Sequence, residues 1–542
     1  MKLRPVICLA LYLGLNSAHA QTAAKDPGFS RADSLRGSVT PERAWWVVLY
    51  YDIHVKPDFE SKSISGSNQI RFAVKKPGNI MQIDLQEPLT IQRILWNQTS
   101  LKFNRTGNVF YVEFPSALKT GAVETITIEY GGNPVVAKRP PWDGGWIFAK
   151  DKLGRPWMTV ACEGIGASIW YPCKDYLGDE PEQGASLNIT VPDTLVAVGN
   201  GRLQQKKPNA DGTMTYTWSV KNPINNYNII PYIGKYITWH ENYAGEKGKL
   251  DCDYWVLDYN EAKARQQFKA VDSMLRCFEY WMGPYPFYED GYKLVESSHL
   301  GMEHQSDVAY GNKFRQGYSG SDLSGSGWGL KWDFIIVHES GHEWFGNNIT
   351  CKDIADEWIH EGFTNYTETL YTDYYFGKAA GDAYNFGIRK NIENKSPIIG
   401  HYGVNSEPEG TDEYYKSGNM LHTIRQIINN DGLFREILRG LNKTFYHQTV
   451  STKQVEEYIS QHARIDFSKV FDQYLRTSQI PVLEYTLKGN STEYRWTNCI
   501  PGFNMAARVD DQLIHPTEQW QTLPSTRFDI DKNLYFDSKK VE

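Results

Sequence analysis

Between residues 335 and 348 the chain reads IIVHESGHEWFGNN, and the order His338-Glu339-x-x-His342 narrows what this region can fold into. Two histidines four apart fall on one face of an α-helix, so both imidazoles reach one ion, and Glu339 leans towards the same place. Phe334, Ile335, Val337 and Phe345 supply the apolar side that such a helix needs. An HExxH string also arises by chance, and isolated helix histidines are usually core or surface residues, so a third ligand has to decide. After His342 come eighteen residues and then Glu361, in DEWIHEGFTNYTE. That span crosses GNN, which reads as a helix end, and ITCKDIA, a short return segment. It then enters a second helical pattern through Ile354, Trp358 and Tyr366. Two antiparallel helices joined in this way bring Glu361 beside the histidines. His338, His342 and Glu361 give three protein ligands and leave a fourth position for water, the arrangement of a catalytic Zn2+, one per chain. Zinc makes that water acidic near neutral pH, and Glu339 is placed to take its proton as general base. The set reads as machinery for metal-assisted hydrolysis of an amide. Glu368, two turns beyond Glu361, reads either as an orienting partner for a ligand histidine or as a surface charge.

The rest of the chain is organised around those two helices. From about Trp45 to Trp239, short alternating runs such as WWVVLYYDIHV, NQIRFAV, VETITIEY and ASLNITV are separated by Gly, Pro and Asn. Such spacing predicts a large antiparallel sheet or sandwich. NYAGEKGK, polar and glycine-bearing, is a candidate boundary. Phe268, Val271, Leu275, Phe278 and Met282 then recur at helical spacing until GPYPF stops the helix. Helical patterns dominate 332–474, and after RTSQIP the text turns β again. The division predicted is a signal peptide over 1–20, a β domain over 21–247, a mostly helical catalytic domain over 248–480 and a small β domain over 481–542. The class is multidomain α+β.

Composition agrees with a folded enzyme-sized chain: 542 residues, 41% hydrophobic and 22% charged. A formal net charge of −7 without a basic stripe argues against nucleic acid as a partner. The 17 Trp and 34 Tyr read as sheet and core packing in preference to a glycan platform. At the start, Lys2 and Arg4 precede an apolar run and the triplet Ala18-His19-Ala20, which reads as a signal peptide cleaved before Gln21. The run is too short for a membrane anchor and no later segment is long and apolar enough for one. The sequence therefore predicts an exported protein without an integral membrane segment, periplasmic or secreted. Six cysteines follow the signal segment, with Cys162 and Cys173 the nearest pair, and none forms a CxxC thiolate site.

Other stretches carry a resemblance. HESGHEWFGN and EWIHEGF, WMGPYPFYEDGYKLVESSHLGMEHQSDVAY, ACEGIGASIWYPCKD, YYKSGNMLHTI and FDQYLRTSQIPVLEY resemble, in family order and over most of the chain, the M1 or gluzincin family of zinc aminopeptidases. The resemblance implies a thermolysin-like catalytic domain and peptide substrates with a free N-terminus. By position it implies that Glu303, in LGMEH, recognises the substrate's amine and that Glu163 is a second contact to it. An anion at a fixed distance from the metal counts one residue in from a cationic terminus. Gly301 and Met302 would present backbone groups along the substrate. Tyr415, from its spacing to Gly418, would donate to the oxyanion, with Tyr414 as the competing candidate. The chain departs from the family pattern at Leu300 (usually Gly), at His304 (usually Asn) and at Ser168 (commonly Arg). His304 is thus expected to alter the pocket. About sixty residues follow RTSQIP, enough for a small β domain, so a more open cleft than in relatives with a large helical C-terminal domain is expected. The function implied is an exported zinc aminopeptidase. The alternatives are a zinc endopeptidase, which needs no amine anchor, and a catalytically weak peptidase-like binding protein.

Overall fold

A computed structural model describes residues 28–406 and 410–542. The expected signal segment and its cleavage point before Gln21 lie outside the described residues. The first long strand, Trp46–Asp58, alternates buried and exposed positions along most of its length, which places one face on a core. It sits near the centre of an eight-stranded sheet, between Ser63–Val74 on one side and Ala185–Pro192 on the other. The sheet is antiparallel apart from the pairing of Trp46–Asp58 with Ala185–Pro192, which is parallel. A three-stranded sheet and a four-stranded sheet accompany it. Most of the buried apolar residues between Trp45 and Tyr236 form one cluster. A second cluster runs from Trp239 to Tyr535 and takes in the helices. The architecture is thus α+β, with a β-rich N-terminal region, a helical catalytic region and C-terminal strands.

The polar stretch at 242–249 is the tip of a hairpin. Tyr236–Gly245 and Gly248–Leu257 pair in unbroken register, so both sides of the expected division at residue 247 belong to one sheet. That five-stranded sheet continues through Tyr292–Glu296 and Val308–Tyr310 and ends on a two-residue edge strand, Gly301–Met302. The helix Ala270–Met282 carries Val271, Leu275, Phe278 and Met282 of the predicted stripe, while Phe268 caps a separate short helix, Glu261–Gln267; the longer helix stops at Gly283, whose φ of 95° only glycine adopts at ease. After RTSQIP, Val482–Lys488 and Ser491–Thr497 form the centre of a four-stranded sheet. All six cysteines from Cys162 onward are thiols, Cys162 and Cys173 included.

Candidate active site

The helix Phe334–Gly341 is buried along its whole length, so its histidine lies in the interior rather than on an amphipathic surface. The Asp333 side chain caps it, accepting from the backbone N–H of Ile335 at 3.1 Å. The helix is shorter than its apolar pattern suggests, and His342 is its C-terminal cap, still in helical geometry, so the four-residue spacing to His338 keeps its meaning. The chain returns through the strand Ile349–Cys351, which pairs with Gln448–Val450, and enters the helix Trp358–Phe376. Glu361 lies in the first turn of that helix.

His338 Nε2 and His342 Nε2 lie 3.6 Å and 3.4 Å from the same Glu361 oxygen, Oε2. The other ring nitrogens are committed elsewhere. His338 Nδ1 donates to Glu368 Oε1 at 2.8 Å, and His342 Nδ1 donates to the Phe345 carbonyl at 3.1 Å. Glu368 is therefore an interior partner of His338 and not a surface charge; it also accepts from Tyr384 Oη at 2.6 Å and from Asn365 Nδ2 at 3.1 Å. Three ligand atoms converge within 4.8 Å of one another, and Glu361 Oε2 is buried with no hydrogen-bond partner. Burial alone would raise the Glu361 pKa, yet the two imidazoles override it and hold the carboxyl well below its usual range. Burial opposes protonation of the histidines, and nearby carboxylates override it, Glu361 with Glu368 at His338 and Glu361 with Glu303 at His342, raising both. The trio is thus built to stabilise positive charge, and two imidazoles with one carboxylate are the donor set of a catalytic Zn2+. The residues fit that ion.

Around the trio, the nine residues given a metal, catalytic or substrate role from the sequence line one cavity of about 470 Å³. These are the three ligands with Glu339, Glu163, Gly301, Met302, Glu303 and Tyr415. Burial pushes the Glu339 carboxyl up to about 7, with the two imidazoles opposing it. Gly301 brings backbone up against that carboxylate: a Cβ built there would meet Glu339 Oε1 at 2.4 Å. Gly301 and Met302 pair with Tyr310 and Ala309 on one side and are the sheet's free edge on the other. Glu303 follows directly. Its Oε1 accepts from Tyr227 Oη at 2.9 Å, and its backbone carbonyl accepts from Asn347 Nδ2 at 2.8 Å. One oxygen each of Glu303 and Glu339 and a ring nitrogen of His342 also lie within 4.8 Å of one another. Glu163, on the loop between the strand Pro156–Ala161 and the turn Ala167–Ile169, enters from the β-rich region. Burial, then the nearby charge of Glu303, pushes its carboxyl well above the usual range, as two facing carboxylates without a cation require.

Both tyrosines of the pair line the cavity, from the helix Asp412–Ile428. Tyr414 stacks on His338 with ring centres 6.1 Å apart, and Tyr415 lies within the electrostatic influence of Glu368, Tyr318 and Glu361. Burial raises the pKa of either phenol, so each remains a proton donor. His304 is different. It is fully buried and hydrogen-bonded through Nδ1 to Tyr232 Oη, and it is not among the residues lining the cavity, so its effect on the pocket is at most indirect. Ser168 is also buried and donates to Asp175 Oδ2 at 2.5 Å. Nothing in the sequence pointed to Tyr227, Glu357, Glu413 or Trp142, of which Tyr227 contacts Glu303 and the other three line the cavity. Tyr227, Glu413 and Trp142 arrive from stretches that carry no motif, and Glu357 opens EWIHEGF without a role of its own there.

A ligand trio on two successive helices, with a glutamate beside it in a concave site, defines the class of metal-dependent hydrolases of the His–His–Glu type. The sequence comparisons then narrow it. The Peptidase M1 N-terminal domain matches residues 47–227 and the Peptidase family M1 domain matches residues 322–474. The chain belongs to peptidase family M1. It is 22% identical over 326 residues to Leucine aminopeptidase 2 of Vanderwaltozyma polyspora, covering 56% of this chain and 45% of that protein. It is 22% identical over 386 residues to Aminopeptidase M1 of Arabidopsis thaliana, covering 68% of this chain and 41% of that protein. The chain therefore spans under half the length of these two relatives. Among solved structures it shares its fold with the M1 zinc metallopeptidase of Deinococcus radiodurans. The TM-score is 0.67 at 20% identity, over 80% of this chain and 94% of that one. A point variant of the same protein gives 0.69, over 82% and 97%.

Proposed function

We propose that this chain is an exported zinc aminopeptidase that hydrolyses the N-terminal peptide bond of peptides, with one Zn2+ per chain held by His338, His342 and Glu361. The observation that carries this reading is the pair Glu163 and Glu303, two acids facing each other in the cavity that holds the trio. A substrate's α-ammonium between them satisfies both, and it sets the distance from chain end to reacting carbonyl at one residue. Seven glutamates line the cavity and, among the described residues, no lysine or arginine does, so the field favours a cationic end.

A bound zinc ion would supply Lewis-acid polarisation of the carbonyl and an acidified water. The chain's own groups do the rest. Glu339 takes a proton from the attacking water and returns it to the leaving amine. Tyr415 donates to the oxyanion that develops at the carbonyl. The free edge Gly301–Met302 offers backbone hydrogen bonds to an extended substrate. Glu368 holds His338 in the tautomer that leaves Nε2 free to ligate. Export rests on the segment before Gln21; among the described residues, no helix is long and apolar enough to cross a membrane.

The test compares aminoacyl-anilides with their N-acetylated forms, alongside elemental zinc analysis and amino-terminal sequencing of the exported product. Expected are about one zinc per chain, cleavage of the free-amine substrates only, and a mature start at Gln21. Glu339→Gln should keep its zinc and lose turnover by about 10²- to 10⁴-fold. Glu303→Ala should erode the demand for a free amine. Cleavage of blocked peptides by the parent protein, or a demand untouched in Glu303→Ala, would overturn the reading.

A further inference from the structure

The short helix Arg31–Gly37 lies far in sequence from every residue of the site, yet it joins the two parts of the chain that form the cavity. Ser30 and Asp33 close a reciprocal cap at its start. On the β-rich side it is pinned by buried Arg43, whose Nη1 donates to the Arg36 carbonyl at 2.8 Å, and by Gln82, whose Nε2 donates to the Leu35 carbonyl at 3.0 Å. On the helical side, the Asn405 N–H donates to the Asp33 carbonyl at 3.1 Å. There Gly37 packs backbone to backbone: a Cβ built on it would stand 2.2 Å from the Val404 carbonyl carbon. The helix is a strap across the junction.

From that strap Arg36 reaches the Glu163 loop. Its Nη2 donates to the Gly164 carbonyl at 2.7 Å, and its Nε lies 3.4 Å from Asp175 Oδ2. Asn405 Nδ2 reaches the same Gly164 carbonyl at 3.3 Å. The loop is shaped around the guanidinium: Gly166 has φ +90°, and a Cβ there would meet Arg36 Nη2 and Asp175 Oδ2, each at 2.3 Å. Glu163 precedes Gly164, its Oε1 has no hydrogen-bond partner, and the charge that acts most on its carboxyl is Glu303, of like sign. Among the described residues no cation holds that side chain before a substrate arrives, so the backbone that Arg36 holds contributes to its direction.

We propose that Arg36 is a positioning residue for Glu163, and that the strap fixes the substrate-amine site by clamping the Gly164 carbonyl to the Asp175 carboxylate. The proposal rests on the aminopeptidase reading and adds to it a residue from a segment with no part in the chemistry. A charge-assisted hydrogen bond of this kind, lost in Arg36→Ala, should raise KM for free-amine aminoacyl-anilides about tenfold and leave kcat within about twofold. Lysine can donate to the carbonyl but cannot span both partners, so Arg36→Lys should recover only part of the loss.

The experiment measures KM and kcat of Arg36→Ala and Arg36→Lys in the zinc-loaded full chain, each also in a Glu163→Ala background, with Glu303→Ala and melting temperature alongside. In the Glu163→Ala background the Arg36 change should add little to KM, because it acts through Glu163. An unchanged KM in Arg36→Ala, or an equal rise with and without Glu163, would sink the proposal and leave Arg36 as a structural clamp only. Should Arg36→Ala fail to fold, Arg36→Gln makes the same comparison. If Glu163→Ala and Glu303→Ala both leave the demand for a free amine intact, the functional reading falls. If they abolish it while no Arg36 variant moves KM, only the strap proposal falls.

Discussion

Replacing Glu368 by alanine removes the acceptor that holds His338 and leaves two further buried donors without a partner. Glu368 is fully buried, with one oxygen shared by His338 Nδ1 and Asn365 Nδ2 and the other taken by Tyr384 Oη. Two effects follow and separate experimentally. The first is on metal affinity. A ligand imidazole that loses its outer partner loses its fixed tautomer and ring angle, which costs about 10- to 100-fold in affinity. That is roughly 1.4 to 2.7 kcal/mol. The second is on folding. Asn365 and Tyr384 each forfeit a buried acceptor, at about 1–3 kcal/mol apiece, so the metal-free protein should lose roughly 2–6 kcal/mol. Glu368→Gln separates the two. It keeps the volume and one acceptor oxygen, so stability should fall by only about 1 kcal/mol. The anion that strengthens the imidazole as a ligand is gone, so zinc affinity should still drop by about tenfold. Competition for zinc against a chromogenic chelator measures the first effect, and thermal melts of metal-free protein measure the second. A folded Glu368→Ala protein with parental zinc affinity would show that packing alone orients His338, and that Glu368 has no hand in setting the ligand.

Other contacts give sharp expectations. Gly362 follows Glu361, and a Cβ built there would lie 2.5 Å from Ser417 Cβ on the neighbouring helix, so Gly362→Ala should destabilise by about 1–3 kcal/mol. Thermal melts should show most of that loss recovered when Ser417→Gly is added, and no recovery would mean the helices do not meet at that point. Burial, partly offset by a hydrogen bond from Thr350, pushes the Glu180 carboxyl from an ordinary 4.5 to about 7. Between those two values the folded chain holds a proton that the unfolded chain has released. Unfolding there releases protons, and stability falls as pH rises, by at most about 3 kcal/mol. Glu180→Gln should flatten that slope, so its melting temperature should gain on the parent's from about pH 5 to about pH 8; parallel curves would count against the assignment.

What the sequence discloses and what it hides divide along one physical line. His338, His342 and Glu361 are legible because helix geometry ties a spacing of four to one face, and the intervening segment is short enough for a single turn to close it. Even the early end of the first helix does not disturb the pattern, since His342 keeps helical dihedrals as the cap. Where position depends on pairing between distant segments, the sequence reads less well. The alternation in WWVVLYYDIHV shows that a strand has a buried face but not that Ala185–Pro192 runs parallel beside it. The stretch NYAGEKGK has the composition shared by linkers and hairpin tips, and only the register of the flanking strands distinguishes the two. His304 sits one residue past Glu303, and which of the two faces the cavity is fixed by Tyr232 and Tyr227, both some seventy residues away. Arg36 carries no signal at all for the same reason. Its partner carbonyl lies 128 residues on, and a backbone carbonyl has no letter in the sequence. Residues that touch the reacting atoms must have particular side chains and can be read; residues that hold the backbone behind them cannot, and a site inferred from motifs alone therefore omits the groups that aim it.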